Sequence, residues 1–275
     1  MLLPRILTAI LGIPIVLVCI YYGSALFLLL LIIILLYMLR EFIHMVNTVG
    51  YEVSPIVVYL VGLITFFSIV FEPLQFNKTS LYLTSMNITL LLFILFLIEI
   101  IRQKPIGSVG RISVEFVIPM LLSWSLAHLF LIRDIKIYGM KLTYILFFSI
   151  WIIDNAAYIF GTLFGKRKIA SVISPKKTVA GFIFGYIFGF FGFLFLSRLF
   201  LIDRIVKYKD LIIFAIILPF VSMVSDFAES LIKRDCGFKD SDNLLIGHGG
   251  MLDRFDSFIF SSPMFYYFFR IILNK

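Results

Sequence analysis

The sequence predicts an all-α fold, a polytopic transmembrane helical bundle of about nine spans, with eight to ten as bounds. Three observations lead there. Hydrophobic residues make up 61% of the 275 and charged residues only 15%, a balance that gives a soluble domain of this length too little polar surface. Apolar stretches able to cross a hydrocarbon core, which takes roughly 20 helical residues, recur along the whole chain. The 24 Lys and Arg residues, behind a net charge of +8, collect at the ends of those stretches and not in one stripe with interleaved aromatics. That distribution fits membrane orientation and argues against a nucleic-acid surface.

The apolar stretches run at approximately 6–22, 24–39, 55–71, 86–101, 113–132, 141–160, 179–200, 210–231 and 256–273. Only Gly23 and Ser24 part the first two, which suits a tight helical hairpin or a partly re-entrant pair. No small-residue cleavage signal follows Arg5, so the first stretch is expected as a retained span. Through about residue 140 the polar interruptions are Glu99, Glu115 and His128. The carboxylates are read as reaching headgroup level and the histidine as a hydrogen-bonded helix contact. In the seventh stretch Gly181, Gly185, Gly189 and Gly192 share nearly one face, the pattern of closely approaching helices. Cys19 lies in a span and Cys236 in a loop, so no disulfide and no Cys/His metal spacing are expected. Alternating nine spans puts 14 Lys/Arg on one side and 10 on the other. The positive-inside rule then places the former side, with the N-terminus, in the cytoplasm of a cell membrane. The expectation is one membrane domain over 1–275, with mainly structural spans in 1–140 and a chemically specialised half in 141–275.

Three constellations carry that specialisation. Asp154 and Tyr158 share a helical face with Gly161, just ahead of the basic run Lys166-Arg167-Lys168. A carboxylate at that depth must be paired, protonated or bound to a cation. Ser174-Pro-Lys176-Lys177-Thr178 forms the loop before the seventh span. Two lysines, two hydroxyls and a helix N-terminus suit an anionic phosphate, although lysines that merely enforce topology would look the same. The third runs from Asp226 to Ser257. Asp226, Glu229, Ser230 and Lys233 stack at three- and four-residue spacing down the end of the eighth span, and Asp253 and Asp256 stand three apart at the start of the ninth. Two helix ends on one membrane side can converge their carboxylates on a hard cation. Oxygen ligands without cysteine or a histidine pair favour Mg²⁺, and Gly247, Gly249 and Gly250 permit close approach to a phosphate.

The third constellation resembles the signature of the phosphatidate cytidylyltransferase family. That pattern reads Ser-x-x-Lys-Arg, four residues, Lys-Asp, then Gly-His-Gly-Gly-x-x-Asp-Arg-x-Asp. Ser230, Lys233, Arg234, Lys239, Asp240, Gly247, His248, Gly249, Gly250, Asp253, Arg254 and Asp256 fit it in order and spacing across 27 residues. The Ser174–Thr178 loop and the Asp154–Tyr158 segment also resemble the family. Ala180, Asp242 and Ile246 depart from its usual acidic, small and proline residues.

The resemblance implies condensation of phosphatidic acid with CTP to give CDP-diacylglycerol and pyrophosphate, in phospholipid biosynthesis. On that reading Asp226 and Asp253 are the principal Mg²⁺ ligands with Asp256 as a third. Lys233, Arg234 and His248 join them in the catalytic set. Ser174, Lys176, Lys177, Thr178, Asp154, Tyr158, Ser230, Lys239, Asp240, Gly249, Gly250 and Arg254 contact substrate. Expected partners are CTP, phosphatidic acid and membrane lipid, with no nucleic acid; a homodimer and a second, monovalent cation are left open. The alternative is a related membrane lipid kinase of the polyprenol or phytol type, releasing a nucleoside diphosphate. A secondary transporter would place its charged residues nearer the midplane.

Overall fold

The computed structural model describes residues 3–71, 81–242 and 249–273. Among them, nine long helices correspond to the nine apolar stretches: α1 (Leu3–Tyr22), α2 (Ser24–Thr48), α3 (Pro55–Phe71), α4 (Leu81–Arg102), α5 (Ser108–Asp134), α6 (Gly139–Phe164), α7 (Val179–Leu199), α8 (Tyr208–Asp235) and α10 (Phe258–Leu273). A single short turn, α9 (Leu252–Phe255), precedes α10. Six of these helices are long and apolar enough to cross a bilayer, and the chain is a multi-pass membrane protein.

Several helices outrun their apolar stretches. α2 continues to Thr48, well past the lipid-like run, and carries Arg40 and Glu41 on its added turns. Where lipid surrounds the bundle there is no hydrophobic drive between helices, so tight packing and buried polar bonds hold them. Phe193, Phe214, Phe258, Phe265 and Phe269 are almost wholly buried, and Phe214 meets Phe265 edge to face at 5.4 Å. α6 and α7 approach backbone to backbone: a Cβ on Gly181 would sit 2.6 Å from the carbonyl oxygen of Ala157. α5 and α10 are stitched by Ser125 Oγ donating to Phe258 O at 3.0 Å and Ser262 Oγ donating to Ser125 O at 2.8 Å. His128 hydrogen-bonds within its own helix, Nδ1 to Trp124 O at 2.7 Å, and meets α10 through ring contacts with Tyr266 and Tyr267.

Two charge-bearing corners lock the bundle. Arg133, at the end of α5, donates to the last carbonyls of α1, Ile20 O at 2.6 Å and Tyr21 O at 3.1 Å. Gly23 turns the chain into α2 there with a positive φ of 63°. Between α4 and α5, Arg111 donates to Glu99 at 2.6 Å and to the carbonyls of Lys104 and Ile106. Arg102 bridges Glu99 and Glu115, and Glu115 also accepts from Ser54 N at 2.7 Å.

The segment between α6 and α7, expected as a loop, is a two-stranded antiparallel hairpin of β1 (Lys168–Ala170) and β2 (Ser174–Thr178). Pro175 is tolerated because a two-stranded ribbon has open edges that need no donor. Arg234, at the end of α8, donates to Ile173 O at the hairpin turn and to Phe238 O, both at 3.1 Å, which fastens the hairpin beside the α8 terminus.

Candidate active site

The end of α8 displays Asp226, Glu229 and Lys233 on successive turns of one face. The α9 turn brings Asp256 against them: one carboxylate oxygen from each of Asp226, Glu229 and Asp256 lies within 4.8 Å of the others. Glu229 has no solvent exposure. Lys233 Nζ stands 2.7 Å from its Oε2, but without hydrogen-bond alignment, and neither Glu229 oxygen has a hydrogen-bond partner. Three carboxylates so placed repel one another and present only oxygen ligands, a donor set suited to a hard divalent cation.

Asp253, expected as a principal ligand, stands beside that cluster and not within it. Its Oδ1 accepts from Lys233. Its Oδ2 accepts from Gly250 N at 2.8 Å and Ser241 N at 3.0 Å, with Ser241 Oγ at 2.9 Å. Burial would raise its pKa, but the Lys233 hydrogen bond and charge, with the two amides, outweigh burial and hold the carboxyl below the ordinary range. Oδ2 is fully engaged, whereas Oδ1, among the described residues, accepts from Lys233 alone and keeps a lone pair, and Asp253 lines the cavity in front of the cluster. Glu229, which shares the face with Asp226 at the i, i+3 position, takes the third place in the carboxylate group.

A cavity of about 700 Å³ opens in front of the cluster. Asp154, Asp226, Asp253, Asp256, Lys176 and Lys177 supply its polar wall, and Ile153, Ala157, Phe182 and Met223 its apolar wall, from α6, α7 and α8. Tyr158 lines it while remaining 73% exposed. Ser257 Oγ donates to Asp154 at 3.4 Å. Lys177 Nζ stands 2.6 Å from Asp226 Oδ1 and 4.1 Å over the Phe227 ring. Thr178 also lines the cavity, while its Oγ1 caps α7 by accepting from Gly181 N at 3.1 Å.

The other expected contacts fall away from this wall. Ser174, Ser230, Arg234, Lys239, Asp240 and Arg254 do not line the cavity; Arg234 is spent on the two backbone carbonyls named above. Gly247 and His248 lie outside the described residues. Gly249 has a φ of 76°, and a Cβ on Gly250 would come within 2.0 Å of Ser241 Oγ and 2.3 Å of Glu41 Oε2. Glycine is therefore required at this turn by close packing of the chain on itself.

That packing exposes a residue the sequence reading passed over. Glu41, on the extension of α2, is 1% exposed and accepts from Met251 N at 2.6 Å, Leu252 N at 2.9 Å and Ser241 Oγ at 2.8 Å. Its partners lie 200 to 211 residues away, so no local spacing announces it.

Known proteins place this architecture. Residues 3–272 match the model of the cytidylyltransferase family. The phosphatidate cytidylyltransferase of Staphylococcus haemolyticus is 45% identical over 118 residues, which are 43% of this chain and 45% of that protein. The Bacillus subtilis protein of the same name is 39% identical over 143 residues, 51% of this chain and 52% of its own length. That of Synechocystis is 37% identical over 141 residues, 49% of this chain and 45% of the relative. The chain spans about half the length of the curated relatives it matches. Matched from its third residue to its 272nd, the chain belongs to the cytidylyltransferase family.

Proposed function

We propose that the protein transfers a cytidylyl group from CTP to phosphatidic acid, giving CDP-diacylglycerol and pyrophosphate, on the cytoplasmic face of a cell membrane. The observation that carries this is one cavity with two characters. Carboxylates able to hold a cation face the lysines of a basic hairpin, and the same space is walled by apolar side chains of membrane helices. A lipid bearing a phosphate and a nucleoside triphosphate have complementary needs for those two walls. The names of the curated relatives support the same reading, and the excess of Lys and Arg on the site's side supports a cytoplasmic orientation.

In the reaction a phosphate oxygen of phosphatidate attacks the α-phosphorus of CTP. The new O–P bond forms as the bond to the β-phosphate's bridging oxygen breaks, and pyrophosphate leaves with that electron pair. The monoester is already mostly ionised near neutral pH, so no side chain must remove a proton. Positioning and charge neutralisation then supply most of the rate. Lys176 and Lys177 hold the triphosphate from the hairpin, and Lys177 exchanges Asp226 for phosphate oxygens as it does so. Asp253 keeps Lys233 in place at the back of the carboxylate cluster. The donor set of Asp226, Glu229 and Asp256 fits Mg²⁺, which when bound neutralises charge on the reacting phosphates. The apolar wall between α6, α7 and α8 accepts the glycerolipid next to its headgroup.

The test uses the full chain in detergent with Mg²⁺ and either phosphatidate or a prenol as acceptor, offered CTP or ATP, following pyrophosphate, nucleoside diphosphate and lipid-linked cytidine together. Pyrophosphate and lipid-linked cytidine from CTP and phosphatidate, lost in EDTA and in Asp256→Asn, are expected. Nucleoside diphosphate release with a prenol acceptor would instead assign the chain to the lipid-kinase alternative.

A further inference from the structure

We infer that Glu41 is a positioning residue for the reaction, setting from the N-terminal half of the bundle the geometry of the turn that carries Asp253 and Asp256. This inference rests on the proposed cytidylyltransferase reading and goes beyond it.

Three features single out this carboxylate. It is 1% exposed yet, among the described residues, has no cationic side chain as a hydrogen-bond partner; the consecutive amides of Met251 and Leu252 and the Ser241 hydroxyl donate to it. Charge-assisted bonds to backbone N–H groups fix a chain segment more tightly than bonds to mobile side chains. The amides it holds immediately precede Asp253, and Ser241, which it also holds, donates its own amide to Asp253 Oδ2. Asp253 in turn fixes Lys233, which stands against Glu229. A chain of direct contacts therefore runs from α2 through the turn to the carboxylate group, and the α2 helix sits under the turn as its anvil. Gly250 completes the fit, since a Cβ there would strike Glu41 Oε2 and Ser241 Oγ. The Ser241 hydroxyl has a single proton and faces both carboxylates at 2.8 and 2.9 Å, so loss of either carboxylate resets its orientation and changes what the other receives.

Replacing Glu41 by Gln keeps the shape but turns one acceptor into a donor that opposes an amide N–H. The turn loosens while the cavity lining stays chemically intact. Residues that orient a ligand without touching substrate cost about 10- to 100-fold when removed.

The experiment compares Glu41→Gln, Glu41→Asp and Ser241→Ala with the wild type and with Glu52→Gln, a change at an exposed residue paired with Lys104. Steady-state kinetics with CTP and phosphatidate are measured beside amide hydrogen exchange of residues 249–255 and thermal unfolding in the same detergent. Glu41→Gln is expected to lower kcat by about 10- to 100-fold with KM for CTP moving far less. Exchange at Met251 and Leu252 should accelerate, Asp should recover part of both losses, Ser241→Ala should shift both in the same direction by less, and Glu52→Gln should be silent. Unchanged kcat, a fall in kcat that only follows the folded fraction, or unchanged amide exchange would overturn the inference. Should the wild type release no pyrophosphate from CTP, the function fails first, and exchange at the two amides still decides whether Glu41 holds the turn.

Discussion

The molecule contains two clusters of acidic and basic side chains close to the membrane boundary, and they are built to opposite rules. At the α4–α5 corner, Glu99 and Glu115 face Arg102 and Arg111, two charges against two. Arg111 uses its remaining donors on carbonyls, and Ser54 N adds a further bond to Glu115. At the end of α8, five carboxylates, Asp154, Asp226, Glu229, Asp253 and Asp256, gather together; Lys177 stands against Asp226, Lys233 against Glu229 and Asp253, and the charge of Arg254 reaches Asp154. The first cluster balances its charges and acts as a buckle, although Glu115 Oε2 is buried without a hydrogen-bond partner among the described residues. The second is left with excess negative charge beside a cavity, which is sensible only if binding completes it. Charge near a membrane boundary is therefore not diagnostic of function by itself, nor is adjoining space, since a smaller cavity of about 310 Å³ borders Arg102 and Arg111. The imbalance of charge beside the larger cavity is the distinguishing feature.

The largest effect that separates the two belongs to the unfinished cluster. Asp226→Asn or Asp256→Asn is expected to cut pyrophosphate release by about a thousandfold, since several kcal/mol of charge stabilisation are lost at about 1.4 kcal/mol per tenfold. Thermal unfolding without metal should show these variants no less stable than the wild type, because a repelling carboxylate has been removed. A concurrent loss of stability would place the residue in a buckle after all.

The reverse pattern is expected at the corner. Glu115→Ala strands the Ser54 amide and takes one partner from Arg102, a cost of about 3 kcal/mol of stability. Turnover per folded molecule should be unchanged, as read by denaturation in detergent beside the activity assay.

Mg²⁺ itself should act on one cluster only. At a hundredfold excess over its dissociation constant a bound ion raises stability by about 2.7 kcal/mol. Titrating Mg²⁺ into metal-free protein is expected to raise the unfolding midpoint of the wild type and of Glu115→Ala, and EDTA to reverse it. Asp226→Asn should show no rise, and a rise of equal size there would move the ion elsewhere.

What could be read in advance follows the range of the interaction concerned. Nine apolar stretches match nine long helices because hydropathy is local, but the ends moved: α2 runs on to Thr48, where Arg40, Glu41 and their neighbours continue the helix past the uncharged run. The meeting of Asp226 with Asp256 is legible from three-residue spacings at two adjacent helix ends. The hairpin of Lys168–Thr178 is not, since so short a strand pair is decided by what it packs on, here Arg234. Nor is the contact of Glu41 with a turn some 200 residues away. The division of labour between Asp253 and Glu229 is invisible for a different reason. Spacing shows which carboxylates can meet, but not which of them already accepts from Lys233, Ser241 and Gly250.

Asp253 tests the comparison most finely, because it adjoins the unfinished carboxylates yet has its charge paired like a member of the buckle. Its carboxyl is held below the ordinary range, so the folded state binds its proton more weakly than the unfolded chain does. The stability this contributes is fully present above the unfolded value near 4 and is lost as pH falls through the lower folded value. In EDTA, Asp253→Asn is therefore expected to be less stable than the wild type by a constant margin from pH 5 to 8. That margin should shrink as the pH is taken below about 4. The midpoint rise with Mg²⁺ should persist in this variant, in contrast to Asp226→Asn. A variant as stable as the wild type at neutral pH that no longer responded to Mg²⁺ would return Asp253 to the ligand set and put Lys233 in the place a cation takes.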